Sequence, residues 1–167
     1  MLAAEGAVKP PRRPVWVLAS AAASDTMFIH EKRDLSRVPA TERAALDAYR
    51  QAGRTPAEID VVELHDCFTI AEIVATEGLG FFEAGTGGIA ASKGWTSLGG
   101  KIPVNPSGGL KAKGHPIGAT GAAQIGEIVT QLRGDAGARQ VEGARTGLVH
   151  TLGGNTATVL VSLFGRE

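Results

Sequence analysis

The chain has 167 residues, enough for one well-buried domain and too few for two. Its 17 basic and 17 acidic residues balance, so charge gives no reason to expect nucleic acid or an anionic membrane as the principal partner. No apolar run approaches the roughly 20 residues of a membrane-spanning helix, and the single cysteine excludes an intrachain disulfide and fits a reducing compartment. We therefore expect a cytoplasmic protein whose partners are small molecules or other proteins.

Apolar periodicity and turn residues predict strands and helices that alternate along the chain. Gly53 and Gly134 each end a helical pattern, and Thr55 and Glu58 have the spacing of a capping box before a short turn. The predicted elements, in chain order, are a strand at 15–19, an exposed charged loop at 30–37, a helix at 41–52, a strand at 61–64, a helix at 69–80, a glycine-rich loop at 81–100, an extended piece at 101–105, a helix at 124–132, and strands at 146–152 and 157–164.

The last two predicted strands are separated by Gly153, Gly154 and Asn155, which suit a short hairpin turn, so we expect this pair to be antiparallel. Alternating elements that end in a hairpin indicate an α/β fold with a mixed β-sheet and helices on both faces. Such folds keep their sites in loops at the carboxyl ends of strands. In the helix at 69–80, the spacing predicts that the apolar side chains point inward, namely those of Ile70, Ile73, Val74 and Leu79.

His115 stands in a loop that suits proton transfer. Gly114 and Gly118 allow sharp turns and close approach of a ligand, and Pro116 favours an extended conformation for the histidine. A helical pattern follows, so His115 would lie at the positive end of a helix dipole, which favours the neutral, proton-accepting imidazole. The pattern fits a general base, with a surface loop and a capping histidine as the alternative.

Cys67 lies where the strand at 61–64 ends and the next helix begins. A helix N-terminus stabilises a thiolate, and His65 offers a further donor, so we expect a lowered pKa for the Cys67 thiol. The alternative is a small buried residue packed under Phe68. Asp66 fits a cap of the helix that follows it better than a partner for a histidine.

Two further histidines differ in their surroundings. His150 follows a strand and precedes Gly153 and Gly154, so it joins the same pocket or caps the hairpin, and its spacing does not decide between them. His30 lies among charged residues and fits a solvated loop.

Four motifs follow one another along the chain, namely His65-Asp66-Cys67-Phe68, Asn105-Pro106-Ser107-Gly108-Gly109, Gly114-His115-Pro116-Ile117-Gly118-Ala119-Thr120-Gly121 and His150-Thr151-Leu152-Gly153-Gly154. In this order they resemble the C-terminal half of a thiolase, and more narrowly the sterol-carrier-protein or lipid-transfer-protein branch of thiolase-like enzymes. The likeness runs from about Pro14 onward, which leaves 1–13 as an N-terminal lead, a remnant helix or disordered, and 14–167 as a thiolase-like C-terminal domain.

The resemblance implies roles for these residues. His115 matches the histidine that acts as base and oxyanion partner, and Cys67 matches the second acid/base cysteine of the sterol-carrier branch. His65 takes the place of an asparagine that holds an oxyanion-hole water, and His150 stands where ordinary thiolases keep their second cysteine. The resemblance also implies a pocket for substrate and coenzyme A that includes His150, Asn105, Ser107, Gly108, Gly114 and Gly153.

The family's N-terminal half, with its acyl-accepting cysteine and much of its coenzyme A grip, has no counterpart in these 167 residues. The resemblance also places the first strand of the C-terminal half before Met1. We therefore expect an apolar surface that needs a protein partner, either a thiolase N-terminal half or another copy of the chain.

Three functions remain open from the sequence. The first is the C-terminal domain of an acyl-CoA acyltransferase of lipid metabolism, acting on acyl-CoA or 3-ketoacyl-CoA, with the coenzyme A thioester as substrate and no bound cofactor or metal. The second is a subunit of a steroid side-chain aldolase, which the resemblance disfavours because related aldolases rely on tyrosine and the sole tyrosine, Tyr49, falls on a helix away from the motifs. The third is a truncated or structural subunit without turnover.

Overall fold

The computed structural model describes residues 2–7, 9 and 13–166. Its strands are β1 (Trp16–Ser24), β2 (Val61–Leu64), β3 (Thr146–Gly153) and β4 (Thr158–Gly165). Its helices are α1 (Pro39–Ala52), α2 (Thr69–Gly78), α3 (Gly87–Ser92), α4 (Gly109–Lys113) and α5 (Thr120–Arg133), and short 3-10 turns cover Ile29–Glu31, Pro56–Glu58 and Gly137–Arg139.

The four strands form one mixed sheet in the order β1-β4-β3-β2. β4 is antiparallel to both of its neighbours, whereas β2 and β3 run parallel, with Leu64 beside His150 at the end of β2. Beyond β2, Val104 forms a parallel bridge with Val62, so the predicted extended piece at 101–105 adds a short fifth strand position. The predicted mixed α/β fold with a terminal antiparallel hairpin is confirmed.

Two apolar layers enclose the sheet. On one face, α1 packs mainly against β1 and β4, and its fully buried alanines, such as Ala44 and Ala48, share one apolar cluster with Leu148 and Val161. Small side chains let this helix lie close to the strands. On the other face, Ile128 and other residues of α5 pack against β2, β3 and β4. Helices therefore cover both faces, as the sequence predicts.

Helix ends agree with the local signals. Gly53 and Gly134 adopt the left-handed conformation after α1 and α5, and Thr55 and Glu58 form the capping box. The last helix begins at Thr120, earlier than its apolar periodicity indicates, because the small residues before Gln124 carry no periodic signal.

Other predictions need correction. The segment at 81–100, predicted as loop, contains α3. A further short helix, α4, begins at the last residue of the motif at 105–109, where no element was predicted. Ile70 does not point inward, because 61% of its surface is exposed, although Leu79 of the same pattern is fully buried. The hairpin turn occupies 154–157 and β3 extends through Gly153.

The N-terminal lead includes a turn at residues 5–7, and no strand precedes Trp16 in the described part of the chain. Positions 1, 8 and 10–12 lie outside the described residues, so the prediction of a remnant or disordered lead stays a prediction. No helix among the described residues is both long and apolar enough to cross a bilayer.

Candidate functional site

A cleft of about 570 Å³ opens at the edge of the sheet where β2 and β3 end. Its apolar walls come from several segments, including Leu35, Val38, Val74 and Leu152. His65, Cys67, His115 and Gly153 also line it, so four of the predicted site residues share one concave surface. Parallel strands with their carboxyl ends at one edge bring these loops together.

His115 is exposed on the loop that precedes α5. Its Nδ1 lies 3.1 Å from Oγ1 of Thr120, the first residue of that helix. The Thr120 hydroxyl in turn donates to the carbonyl oxygen of Pro116 at 3.1 Å. With its single proton used in this way, the hydroxyl accepts from Nδ1–H of His115, which leaves Nε2 of a neutral imidazole free to take a proton.

His65 is buried and its ring meets that of His115 edge to face, with 4.8 Å between centroids. Burial lowers the pKa of His65, as does the neighbouring His115, while Asp66 acts in the opposite direction. Nδ1 of His65 is buried without a hydrogen-bond partner among the described residues. The arrangement keeps His65 neutral at physiological pH and leaves its Nδ1 able to donate or accept a hydrogen bond.

Cys67 is half-buried in the cleft wall, two residues before α2 begins. Burial raises the pKa of its thiol, and this outweighs the hydrogen bonds from backbone amides. The predicted lowering of its pKa is therefore wrong, because desolvation exceeds the effect of the helix N-terminus. Phe68, under which the alternative would pack the cysteine, is itself 73% exposed and lines the cleft beside it.

Asp66 caps a different helix from the one predicted. Its Oδ1 accepts the backbone N–H of Leu110 at 2.8 Å, at the start of α4, whereas α2 has no side-chain cap. The residue thus ties the loop after β2 to the loop before His115.

His150 lies beneath the cleft and does not line it. It is fully buried, and its Nε2 is 3.1 Å from Oγ1 of Thr41 on α1. Burial lowers its pKa to about 3, with a further contribution from His65. The neutral ring therefore belongs to the core of the sheet, close to the cleft floor.

The remaining predicted pocket residues shape the loops. Asn105 accepts the backbone N–H of Leu64 at 2.8 Å, and the Ser107 hydroxyl donates to the Glu63 carboxylate at 2.7 Å. Gly108 and Gly114 adopt positive φ values of 89° and 81° at the two ends of α4. These four residues lie in the stretch 105–114 that leads into His115, outside the lining of the cleft.

Sequence reasoning missed Glu63, Lys113 and Thr120. Glu63 is a fully buried carboxylate that contacts Ser107 and Lys113, and Thr120 orients the His115 ring. The available signals were a single charge inside an otherwise apolar four-residue strand, and a lysine two positions before the histidine.

Comparison with known proteins also finds similarity to thiolases and sterol carrier proteins. The family model described as "Thiolase C-terminal domain-like" matches residues 21–166. An acetyl-CoA acetyltransferase of Methanothermobacter thermautotrophicus is 56% identical over 153 residues, which cover 92% of this chain and 40% of that protein. Human sterol carrier protein 2 is 42% identical over 151 residues, 89% of this chain and 28% of the relative.

Among solved structures, a chain of the Ltp2-ChsH2(DUF35) aldolase superposes with a TM-score of 0.80 and 25% identity, covering 93% of this chain and 40% of that one. The chain thus spans less than half the length of the relatives it matches. With the motifs, the mixed sheet and these matches in agreement, the chain belongs to the thiolase family and corresponds to its C-terminal domain.

Proposed function

We propose that this domain supplies the base and the second acid/base of a thiolase-type acyltransferase that acts on acyl-CoA or 3-ketoacyl-CoA. The observation that carries the proposal is the convergence of His115, His65 and Cys67 on one apolar cleft. Reaction at the carbon next to a thioester needs a base, donors for the enolate oxygen and a group that carries a proton to or from carbon.

His115 is the proposed base. Its bond to Thr120 orients the ring, and the free Nε2 takes a proton from the substrate or from the thiol of coenzyme A. The adjacent His65, held neutral by burial, donates a hydrogen bond toward the developing oxyanion, directly or through water.

Cys67 is the proposed second acid/base. Since burial raises the pKa of its thiol, the residue is protonated at neutral pH and is ready to deliver a proton to a carbanion when the carbon–carbon bond breaks. In the opposite direction the thiolate takes that proton back from the carbon acid.

The substrate thioester lies along the cleft in this proposal. The apolar walls suit an acyl chain, and Gly153 allows close approach. The other residues that were predicted in the pocket support the surrounding loops in this proposal, namely Asn105, Ser107, Gly108, Gly114 and His150. The coenzyme A thioester binds as the substrate, and the proposal includes no resident cofactor or metal.

A protein partner completes the site in this proposal. Ile117 and Leu35 on the cleft are 90% and 67% exposed, an unusual exposure for large apolar side chains. A thiolase N-terminal half would cover them and bring the acyl-accepting cysteine, and a second copy of the chain is the alternative occupant. We place the assembled enzyme in the cytoplasm, on the support of the lone cysteine in the sequence.

Coexpression with the N-terminal half of the Methanothermobacter relative tests this function. We expect thiolysis of a 3-ketoacyl thioester that depends on coenzyme A and falls at least about 100-fold in Cys67→Ala and in His115→Ala. The matched control is His30→Ala, an exposed histidine outside the cleft lining, which should keep full activity. Full activity in His115→Ala would contradict the proposal.

The similarity to the aldolase structure favours a second candidate, cleavage of a β-hydroxy thioester without free coenzyme A. Tyr49, the only tyrosine, is buried with its hydroxyl bonded to the carbonyl oxygen of Leu79 at 2.9 Å, so this chain brings no tyrosine to the cleft. A β-hydroxy thioester offered to the same assembled protein distinguishes the two reactions. A folded assembly that turns over neither substrate would favour a structural subunit.

A further inference from the structure

A buried carboxylate lies between the segment that carries His65 and the segment that leads to His115. Glu63 of β2 has no exposed side-chain surface. Its Oε1 accepts the backbone N–H of Ser107 at 3.1 Å, and its Oε2 accepts the Ser107 hydroxyl at 2.7 Å. A buried acidic group with several donors is held in one geometry, since any displacement leaves a charge or dipole unsatisfied.

Lys113 closes the arrangement from the other side. Its Nζ donates to Oε2 of Glu63 at 3.1 Å and to Oγ of Ser107 at 2.9 Å. Lys113 is the last residue of α4, and Gly114 and His115 follow it directly. The ammonium therefore fixes the start of the segment that carries the proposed base.

Two neighbouring contacts hold the same pair of segments together. Asp66 accepts the amide of Leu110 at 2.8 Å, and Asn105 accepts the amide of Leu64 at 2.8 Å. The segment at 63–66 is thus bound to the segment at 105–113 along its length. His65 lies within the first segment, and His115 lies two residues beyond the second.

We propose that Glu63, Ser107 and Lys113 form a positioning network that sets His115 against His65 and the cleft, with Lys113 as a positioning residue for the base. The inference rests on the proposed function for the role of His115. It assigns Ser107 to the network, because its hydroxyl is engaged with Glu63 and Lys113 and is not free for substrate.

The network is tested in the full chain by nuclear magnetic resonance, with Lys113→Met as the main variant and Lys113→Arg as the conservative one. In the wild type we expect nuclear Overhauser contacts between the ring protons of His65 and His115. In Lys113→Met these contacts should disappear and amide exchange at 114–119 should rise about tenfold. Lys113→Arg, which keeps the charge and the hydrogen-bond donors, should keep the ring contacts and the amide exchange rates of the wild type.

Lys111→Met is the matched control, because Lys111 is exposed on the same short helix. It should leave the ring contacts and the amide exchange unchanged. Unaltered ring contacts in Lys113→Met would overturn the proposal, as would an equal loss in Lys111→Met.

Kinetics of the protein assembled with the N-terminal half give a second readout. Misplacement of the base by a fraction of an ångström to 1 Å should lower kcat about 10- to 100-fold in Lys113→Met, with KM within about twofold of the wild type. A rise in KM at unchanged kcat would overturn the positioning role. Failure of the proposed function is distinguishable, since it would show as full activity in His115→Ala while the resonance measurements still report on the network.

Discussion

Gly109 illustrates how a missing side chain lets two loops meet. Its φ of +62° lies in the left-handed region, and a Cβ there would overlap the Asp66 carboxylate. Gly109→Ala should therefore lower the free energy of unfolding by at least about 2 kcal/mol, since the left-handed conformation alone costs roughly 1–2 kcal/mol for a residue with a Cβ. Urea titration of the purified variant measures the loss.

Gly126 is the control for this substitution. It lies inside α5, and a Cβ there meets no atom within 4 Å other than its chain neighbours and the backbone of its own helix. Gly126→Ala should raise the free energy of unfolding by about 0.5–1 kcal/mol, because alanine loses less backbone entropy in a helix. If both variants lost stability equally, the close approach of Asp66 would not be the cause.

His150 predicts how stability depends on pH. The folded pKa is lowered to about 3, below the ordinary value of 6.5, so the unfolded chain takes up a proton in this interval and the folded chain does not. Stability from this group is present above pH 6.5 and is lost as pH falls toward 3. Between pH 7 and pH 5 the loss should be about 2 kcal/mol.

Denaturant unfolding at pH 7 and pH 5 measures this effect. His65 contributes in the same direction because its pKa is also lowered, so the His150 share is the part that disappears in His150→Leu. His30→Gln, at an exposed position, should keep the pH dependence of the wild type. An unchanged dependence in His150→Leu would show that His150 is not the group responsible.

At the residue scale, spacing identified which side chains reach the cleft better than it identified their chemistry. His65, Cys67 and His115 follow recognisable strand ends and turns, so their proximity could be predicted. The pKa of Cys67 could not, because burial by neighbouring segments outweighs the local helix terminus. Asp66 likewise caps α4 rather than its own helix, a contact that no local pattern contains.

At the scale of elements, α5 lies against the sheet at a point where β3 has no side chain. A Cβ at Gly147 would come within 2.6 Å of Cγ2 of Ile128. Gly147→Ala should therefore lower the free energy of unfolding by about 1–3 kcal/mol through overpacking. Ile128→Ala, which opens a cavity at a fully buried position, should lower it by about 2–5 kcal/mol.

The double variant separates packing from other causes. Because the added methyl group enters the space that Ile128 leaves, Gly147→Ala with Ile128→Ala should cost at least about 0.5 kcal/mol less than the sum of the single variants. Gly126→Ala, which contacts no side chain, should be additive with Ile128→Ala. Additivity in both pairs would exclude a steric cause for the glycine at 147.

Elements with strong periodicity or clear boundaries could be predicted from the sequence. The strand at 61–64 and the C-terminal ends of α1 and α5 agree with the structure. α3 and α4 could not be predicted, because they are short, glycine-rich and stabilised by contacts with other segments. Gly87 at the start of α3, for example, donates its amide to Glu77 of α2 at 2.8 Å.

For the whole molecule, the cleft side carries apolar side chains that the fold does not bury. Phe68, Ile70 and Ile117 are 73%, 61% and 90% exposed, and all three line the cleft. Sequence periodicity assigned Ile70 to the interior because it detects an apolar position without saying which surface covers it. Exposed apolar side chains beside the proposed catalytic residues are expected where a second domain covers the surface and completes the site.

Ile117→Ser tests this completion directly. Since the side chain contributes little to the core of this domain, the free energy of unfolding should change by less than about 0.5 kcal/mol. Burial of one isoleucine in an interface is worth about 1.5–3 kcal/mol, so affinity for the thiolase N-terminal half should fall about 10- to 100-fold. Titration calorimetry with the N-terminal half of the Methanothermobacter relative measures the dissociation constant.

Leu46→Ser is the control, because Leu46 is 50% exposed on α1 and does not line the cleft. Equal affinity of the two variants would mean that the N-terminal half does not cover Ile117, and a second copy of the chain would then be the occupant to test.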